Sequence, residues 1–133
     1  MKRGTVILLA AMALAVLAVS GVALAATLVG TGGDDTLIGT NGGDTIDGKA
    51  GQDLIRGLRG ADTLNGGPGD DRIRAGLRDE TARDTVKAGG GDDLVRVYNK
   101  PAAKDIVDCG RGFDVVYVDS KDVVSGCNKV VHP

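Results

Sequence analysis

Tryptophan is missing altogether, and the only aromatic side chains are Tyr98, Phe113 and Tyr117. A chain of 133 residues so poor in large rings cannot build a conventional core of bulky side chains. It needs a stacked architecture, a metal ion or a disulfide to compensate. Histidine is as scarce: His132, next to the last residue, is the only one. That leaves no Ser/His/Asp or Cys/His arrangement for catalysis and no imidazole set for a soft metal, and we expect no enzyme. The glycine runs lack the lysine and following helix of a phosphate loop. A formal charge of −2 argues neither for nor against nucleic acid as a partner, and no other feature suggests one.

Glycine, by contrast, is abundant at 22 residues, and much of it is periodic. Residues 30–74 read GTGGDDTLI, GTNGGDTID, GKAGQDLIR, GLRGADTLN and GGPGDDRIR, five units of nine laid end to end. Each has glycine at its first place (Gly30, Gly39, Gly48, Gly57, Gly66) and its fourth (Gly33, Gly42, Gly51, Gly60, Gly69). Each has aspartate at its sixth (Asp35, Asp44, Asp53, Asp62, Asp71) and a large aliphatic at its eighth (Leu37, Ile46, Ile55, Leu64, Ile73). After Arg74 the beat continues with interruptions. Units 75–87 and 97–108 are lengthened, whereas 88–96 and 109–117 return to register with Gly91, Asp93, Gly112 and Asp114. From Val118 the pattern degenerates: Asp122 and Val124 echo it one residue early, without a glycine turn. We take 118–133 as a cap folding over the end, because terminal units of stacked arrays are atypical.

Glycine at the first and fourth places allows backbone angles closed to other residues, so the first six residues of a unit form a tight turn. The last three form a short strand whose middle side chain points inward. One unit alone buries a single aliphatic, and stacking turns these into a ladder. Such turns direct carbonyls inward and add a carboxylate, an oxygen-only ligand set suited to a hard, flexible-coordination cation such as calcium. The plainer alternative is that each aspartate only caps its turn. Seven carboxylates stacked in register without a counter-ion would repel one another, which favours the ion.

These units resemble the RTX, or haemolysin-type, calcium-binding nonapeptide repeat, G-G-x-G-x-D-x-U-x. They depart from it at the second place, where only Gly67, Gly76, Gly89 and Gly110 keep the glycine. The resemblance covers 30–117 and implies an all-β fold, a right-handed parallel β-roll (β-solenoid) with two repeats per coil and a C-terminal cap. It implies several calcium ions, held in turns between successive coils. With 18 residues per coil, Asp35, Asp53, Asp71, Asp93 and Asp114 share one edge with Gly33, Gly51, Gly69, Gly91 and Gly112. The other edge carries Asp44 and Asp62 with Gly42 and Gly60. Asp84 and Asp105 follow there, but Ala82 and Ala103 replace their glycines, so we expect a poor site at Asp84 and none at Asp105. Both insertions, 77–83 and 98–104, should fall on that second edge of neighbouring coils. Cys109 and Cys127, one coil apart, should stack within bridging range as a disulfide.

The N-terminus reads as a secretion signal: Lys2 and Arg3, the apolar run Val6 to Val19, then Ala23-Leu24-Ala25 with cleavage after Ala25. The alternative is an uncleaved membrane anchor, since Thr5 to Val29 is long enough to span. The domains are then the signal peptide 1–25, the roll 26–117 and the cap 118–133. The expected function is a secreted calcium-binding structural protein that folds on meeting extracellular calcium. Two alternatives stand beside it: a calcium-stabilised binding module, using the insertions for a cell-surface or glycan partner, and a relative of an RTX exoenzyme or toxin. An ice-binding face is disfavoured, because Thr36, Thr45, Thr63 and Thr85 look too irregular for a flat array.

Overall fold

The structure, a computed structural model, describes the backbone of Val6–Leu9 and residues 24–78 and 81–133. The expected signal segment lies mostly outside these residues; its described strand, Val6–Leu9, pairs with Asp35–Ile38 as an edge strand that cleavage after Ala25 would remove. Two parallel sheets make up the molecule, and no helix occurs among the described residues. One sheet holds, in order, β1 (Val6–Leu9), β3 (Asp35–Ile38), β5 (Leu54–Leu58), β7 (Arg72–Gly76), β9 (Leu94–Arg96), β11 (Val115–Tyr117) and β13 (Lys129–Val131). The other holds β2 (Thr27–Val29), β4 (Thr45–Asp47), β6 (Thr63–Pro68), β8 (Thr85–Gly90), β10 (Ile106–Asp108) and β12 (Val123–Ser125). Consecutive strands thus alternate between sheets, and each pairs with the strand one coil away. This is the expected parallel β-roll.

Alternation along each short strand sends its middle residue inward. Leu37, Ile55, Ile73, Val95 and Val116 face Ile46, Leu64, Val86 and Val107, all essentially buried. Each coil adds two such side chains, so the core grows along the stack. A second buried row comes from the first place of the later units, where glycine gives way to Ala75, Ala88, Val97, Cys109 and Val118. The narrow interior between two sheets joined by tight turns takes one aliphatic per strand, which explains a core built without aromatic rings.

The C-terminal segment caps the roll by adding one more coil, rather than by folding across the end. β12 continues from β10 with Val124 opposite Val107, and β13 continues from β11 with Val130 opposite Val116. Cys109 and Cys127 are bridged with Cα atoms 5.1 Å apart, tying this last coil to the one before. Threonine placement is more regular than the sequence suggests. Thr27, Thr45, Thr63 and Thr85 stand in direct register on one sheet, whereas Thr36 lies on the other. The adjoining row reads Val29, Asp47, Asn65 and Lys87, so charge rather than irregularity spoils a flat hydroxyl array.

Candidate metal centre

The sixth-place aspartates form two continuous ladders. On the first edge the backbone N–H of Asp35 donates to Oδ1 of Asp53 at 2.8 Å, that of Asp53 to Asp71 at 2.8 Å, and that of Asp71 to Asp93 at 2.8 Å. Asp93 donates to Asp114 at 2.9 Å, and Asp114 to Oδ1 of Asn128 at 2.9 Å. On the second edge Ala26, Asp44, Asp62, Asp84 and Asp105 donate in the same way to Asp44, Asp62, Asp84, Asp105 and Asp122, over 2.7–3.0 Å. One carboxylate oxygen of each rung is therefore consumed by the coil before it. The backbone carbonyl of each rung is consumed by the coil after it, as in Arg72 N–H to Asp53 O at 2.8 Å and Leu94 N–H to Asp71 O at 2.9 Å.

The second carboxylate oxygen is left over. Oδ2 of Asp53, Asp71, Asp93 and Asp114 is buried with no hydrogen-bond donor. A buried carboxylate oxygen without a donor or cation is costly, and four in a row mark places where a cation belongs. Burial pushes the Asp71 carboxyl up to about 7 and that of Asp93 up to about 6, against the bonds they accept from backbone N–H groups. Repulsion between successive rungs adds to the rise. Asp53 and Asp122 are raised for the same first reason, burial.

The glycines shape the space around these oxygens. A Cβ on Gly48 would run into both Oδ2 of Asp53 and the carbonyl of Gly66 in the next coil; on Gly66 it would meet Oδ2 of Asp71 and the carbonyl of Ala88. At the fourth place, Gly51, Gly69, Gly91 and Gly112 have positive φ, and a Cβ on any of them would run into the fourth-place carbonyl of the preceding coil. Carboxylate and carbonyl oxygens thus gather between successive turns, where only glycine leaves room. Among the described residues no three carboxylate, imidazole or thiol groups converge on one point, and the oxygens that gather here are carbonyls with single carboxylates. That is a hard, oxygen-only donor set of the kind calcium takes.

Every sixth-place aspartate named from the sequence takes its expected edge. The ladder does not stop where the glycines do, however. Asp84 and Asp105 are full rungs, both completely buried, although Ala82 and Ala103 precede them. Asp122 and Asn128 end the two ladders; the early echo at Asp122 was visible in the sequence, whereas Asn128 gave no signal. Fifth-place acids make a further row on the first edge: Gln52 N–H donates to Asp34, Asp92 to Asp70, and Phe113 to Asp92, each at 2.8 Å. The doublets Asp34-Asp35, Asp70-Asp71 and Asp92-Asp93 carried that signal. The insertions do meet on the second edge, where Arg78 donates to the Tyr98 hydroxyl at 3.1–3.2 Å and Lys100 N–H to the Arg78 carbonyl at 2.6 Å.

A model of the RTX calcium-binding nonapeptide repeat matches residues 20–55, 50–77 and 77–96, in four copies. The chain belongs to the RTX calcium-binding nonapeptide repeat family. No curated protein and no solved structure matches it. RTX repeats bind calcium ions, and this chain is a calcium-binding repeat protein. The matched region ends at residue 96, but the β-roll runs on through β10 to β13.

Three RTX turns supply their aspartate with hydrogen-bond donors from the same turn. In the first two, threonine takes the second place. Thr31 donates to Asp35 from its N–H at 2.5 Å and from its hydroxyl at 3.0 Å, and Thr40 N–H donates to Asp44 at 2.5 Å. In the lengthened turn, Asn99 accepts from Ala103 N–H at 2.8 Å and donates to Oδ2 of Asp105 at 3.4 Å.

Proposed function

We propose that this chain is an exported protein whose roll is completed by calcium, folding where calcium is plentiful. The observation that carries this reading is the run of donorless buried Oδ2 atoms at Asp53, Asp71, Asp93 and Asp114. A bound cation would satisfy all four and remove the repulsion along the ladder. We assign the ions to the first edge, between the turns that carry Asp35, Asp53, Asp71, Asp93 and Asp114. Fourth-place carbonyls of Gly33, Gly51, Gly69 and Gly91 supply the neutral ligands. Asp44 and Asp62, with Gly42 and Gly60, frame a further site on the second edge. Extracellular sites of this class need only be weak, about 10⁻⁴ to 10⁻³ M, to stay filled outside a cell and empty inside it. No catalytic role is part of this reading.

Export through cleavage after Ala25 fits the chain's start. The nitrogen of Ala26 lies 2.7 Å from Oδ1 of Asp44, so cleavage there would place the new α-ammonium on that carboxylate. The first rung of the second ladder would then gain a cation of its own. Mature protein should show disordered circular dichroism in chelator and β-type dichroism once millimolar calcium is added. Calorimetric titration should give several sites. A chain equally β-rich in excess chelator would sink the proposal.

A further inference from the structure

Among the described residues, nothing covers one outer face of the roll. Arg56, Arg74 and Arg96 occupy matching positions on β5, β7 and β9, in direct register. Arg72 lies one row over, between Leu54 and Leu94. All four arginines are exposed, and among the described residues none makes an ion pair; Arg96 only covers the ring of Tyr117, 5.2 Å from its centroid. Like charges directly opposite one another on neighbouring strands destabilise a sheet. Here three follow one another at the strand spacing of about 4.8 Å, on a chain whose net charge is −2.

Along these arginines runs a groove of about 340 Å³ over the β7 backbone at Ile73, lined on one side by Arg56, Arg74 and Arg96 and on the other by Leu54, Arg72 and Leu94. One wall is guanidinium and the other alternates leucine with arginine. Guanidinium forks bind carboxylate or sulfate through paired N–H donors, and the leucines offer apolar contact to the C–H face of a sugar. Single-stranded nucleic acid needs open aromatic faces for its bases, and the one ring beside the groove is covered by Arg96. A lipid surface needs a broad apolar face that projects beyond the charged side chains, whereas here only Leu54 and Leu94 stand among four arginines. We propose that this face binds a linear acidic polysaccharide, its repeated carboxylates or sulfates following the arginine row. The proposal rests on the calcium-completed fold only in requiring that the roll be formed.

Binding of the mature chain in calcium should be measured against polygalacturonate, heparin, neutral dextran, single-stranded DNA and phosphatidylglycerol vesicles. Circular dichroism should be recorded on the same samples. Wild type is expected to hold one or both acidic polysaccharides, more weakly as salt rises. The triple variant Arg56→Gln, Arg74→Gln, Arg96→Gln should keep its calcium-induced dichroism and lose about tenfold or more in affinity. Preference for polygalacturonate over heparin would identify carboxylate as the recognised group, and the reverse preference sulfate. The inference is overturned by a folded wild type that holds neither polysaccharide or holds dextran equally. Tighter binding to DNA or vesicles, or an unchanged triple variant, would also overturn it. Each of those results leaves the calcium reading standing. A chain that stays unfolded in calcium overturns that reading, and this face with it.

Discussion

Lys49 and Leu58 occupy the second place of their units with φ of 76° and 80°, a region that glycine enters freely and other residues do not. The sequence made this place look tolerant; the backbone shows that the substitution is strained. Lys49→Gly should therefore raise the stability of the calcium form by about 0.5–1 kcal/mol, the relief of left-handed strain less the added freedom of the unfolded chain. The exposed Lys49–Asp47 ion pair at 2.8 Å is too weak to cancel that gain. A urea midpoint unchanged or lowered would refute it. Asn99 is a different kind of exception, a polar side chain only 1% exposed that ties the Ala103 N–H to the Asp105 carboxylate. Asn99→Ala should cost about 1–2 kcal/mol in calcium by leaving buried polar groups short of partners. Its role could not be read from the chain, because it depends on how an inserted loop doubles back.

Turns and strands divide the work of the ladders. The strands set the repeat along the stack, and the turns aim each carboxylate at the coil before. Rungs lie 18 residues apart in the regular half, then 22 and 21 across the insertions. They fall to 17 and 14 in the last coil. Counting in eighteens therefore finds the edges but misses Asn128. Hydrogen bonding from the strand backbone keeps Asp84 and Asp105 in the ladder without their glycines, which is why the sequence undervalued both. The ladder has a pH signature. Asp71 ordinarily titrates at 3.8 but in the fold at about 7, and Asp93 at about 6. Between those values the folded, calcium-free chain holds protons that the unfolded chain has released, so its stability falls as pH rises from about 4 to about 7. Below that window the stabilisation is fully present. Calcium-free protein, disordered at pH 7.5, should therefore gain β-type dichroism at pH 5, and adding calcium at pH 5 should release protons into weak buffer. Stronger β-type dichroism at pH 7.5 than at pH 5 would count against donorless carboxylates.

Across the whole molecule, stability accumulates coil by coil, and the two ends differ. The C-terminal end is closed by a coil that keeps one glycine bend, at Gly126, and whose inward Val130 is 41% exposed. It is held by the bridge from Cys127 to the buried Cys109. Opening a loop of this length should cost about 3 kcal/mol. Reduction, or Cys127→Ser, should lower the midpoint of the calcium form accordingly, with amide exchange quickening first over 118–133. Uniform exchange along the roll after reduction would contradict that placement. What the sequence by itself determined was the period: glycine and aspartate at fixed places dictate turn, strand and stacking, since each choice is local. It also paired the cysteines, because one coil of separation puts them a strand spacing apart. Only the tertiary structure decided which carboxylate oxygens are left without donors, which turns satisfy themselves through Thr31, Thr40 and Asn99, and that arginines from three coils meet on one face. The ladders and the arginine face depend on neighbours 14 to 22 residues away along the chain, brought together by stacking whose spacing the insertions change; the self-satisfied turns depend on how each loop folds back on a partner four to six residues away.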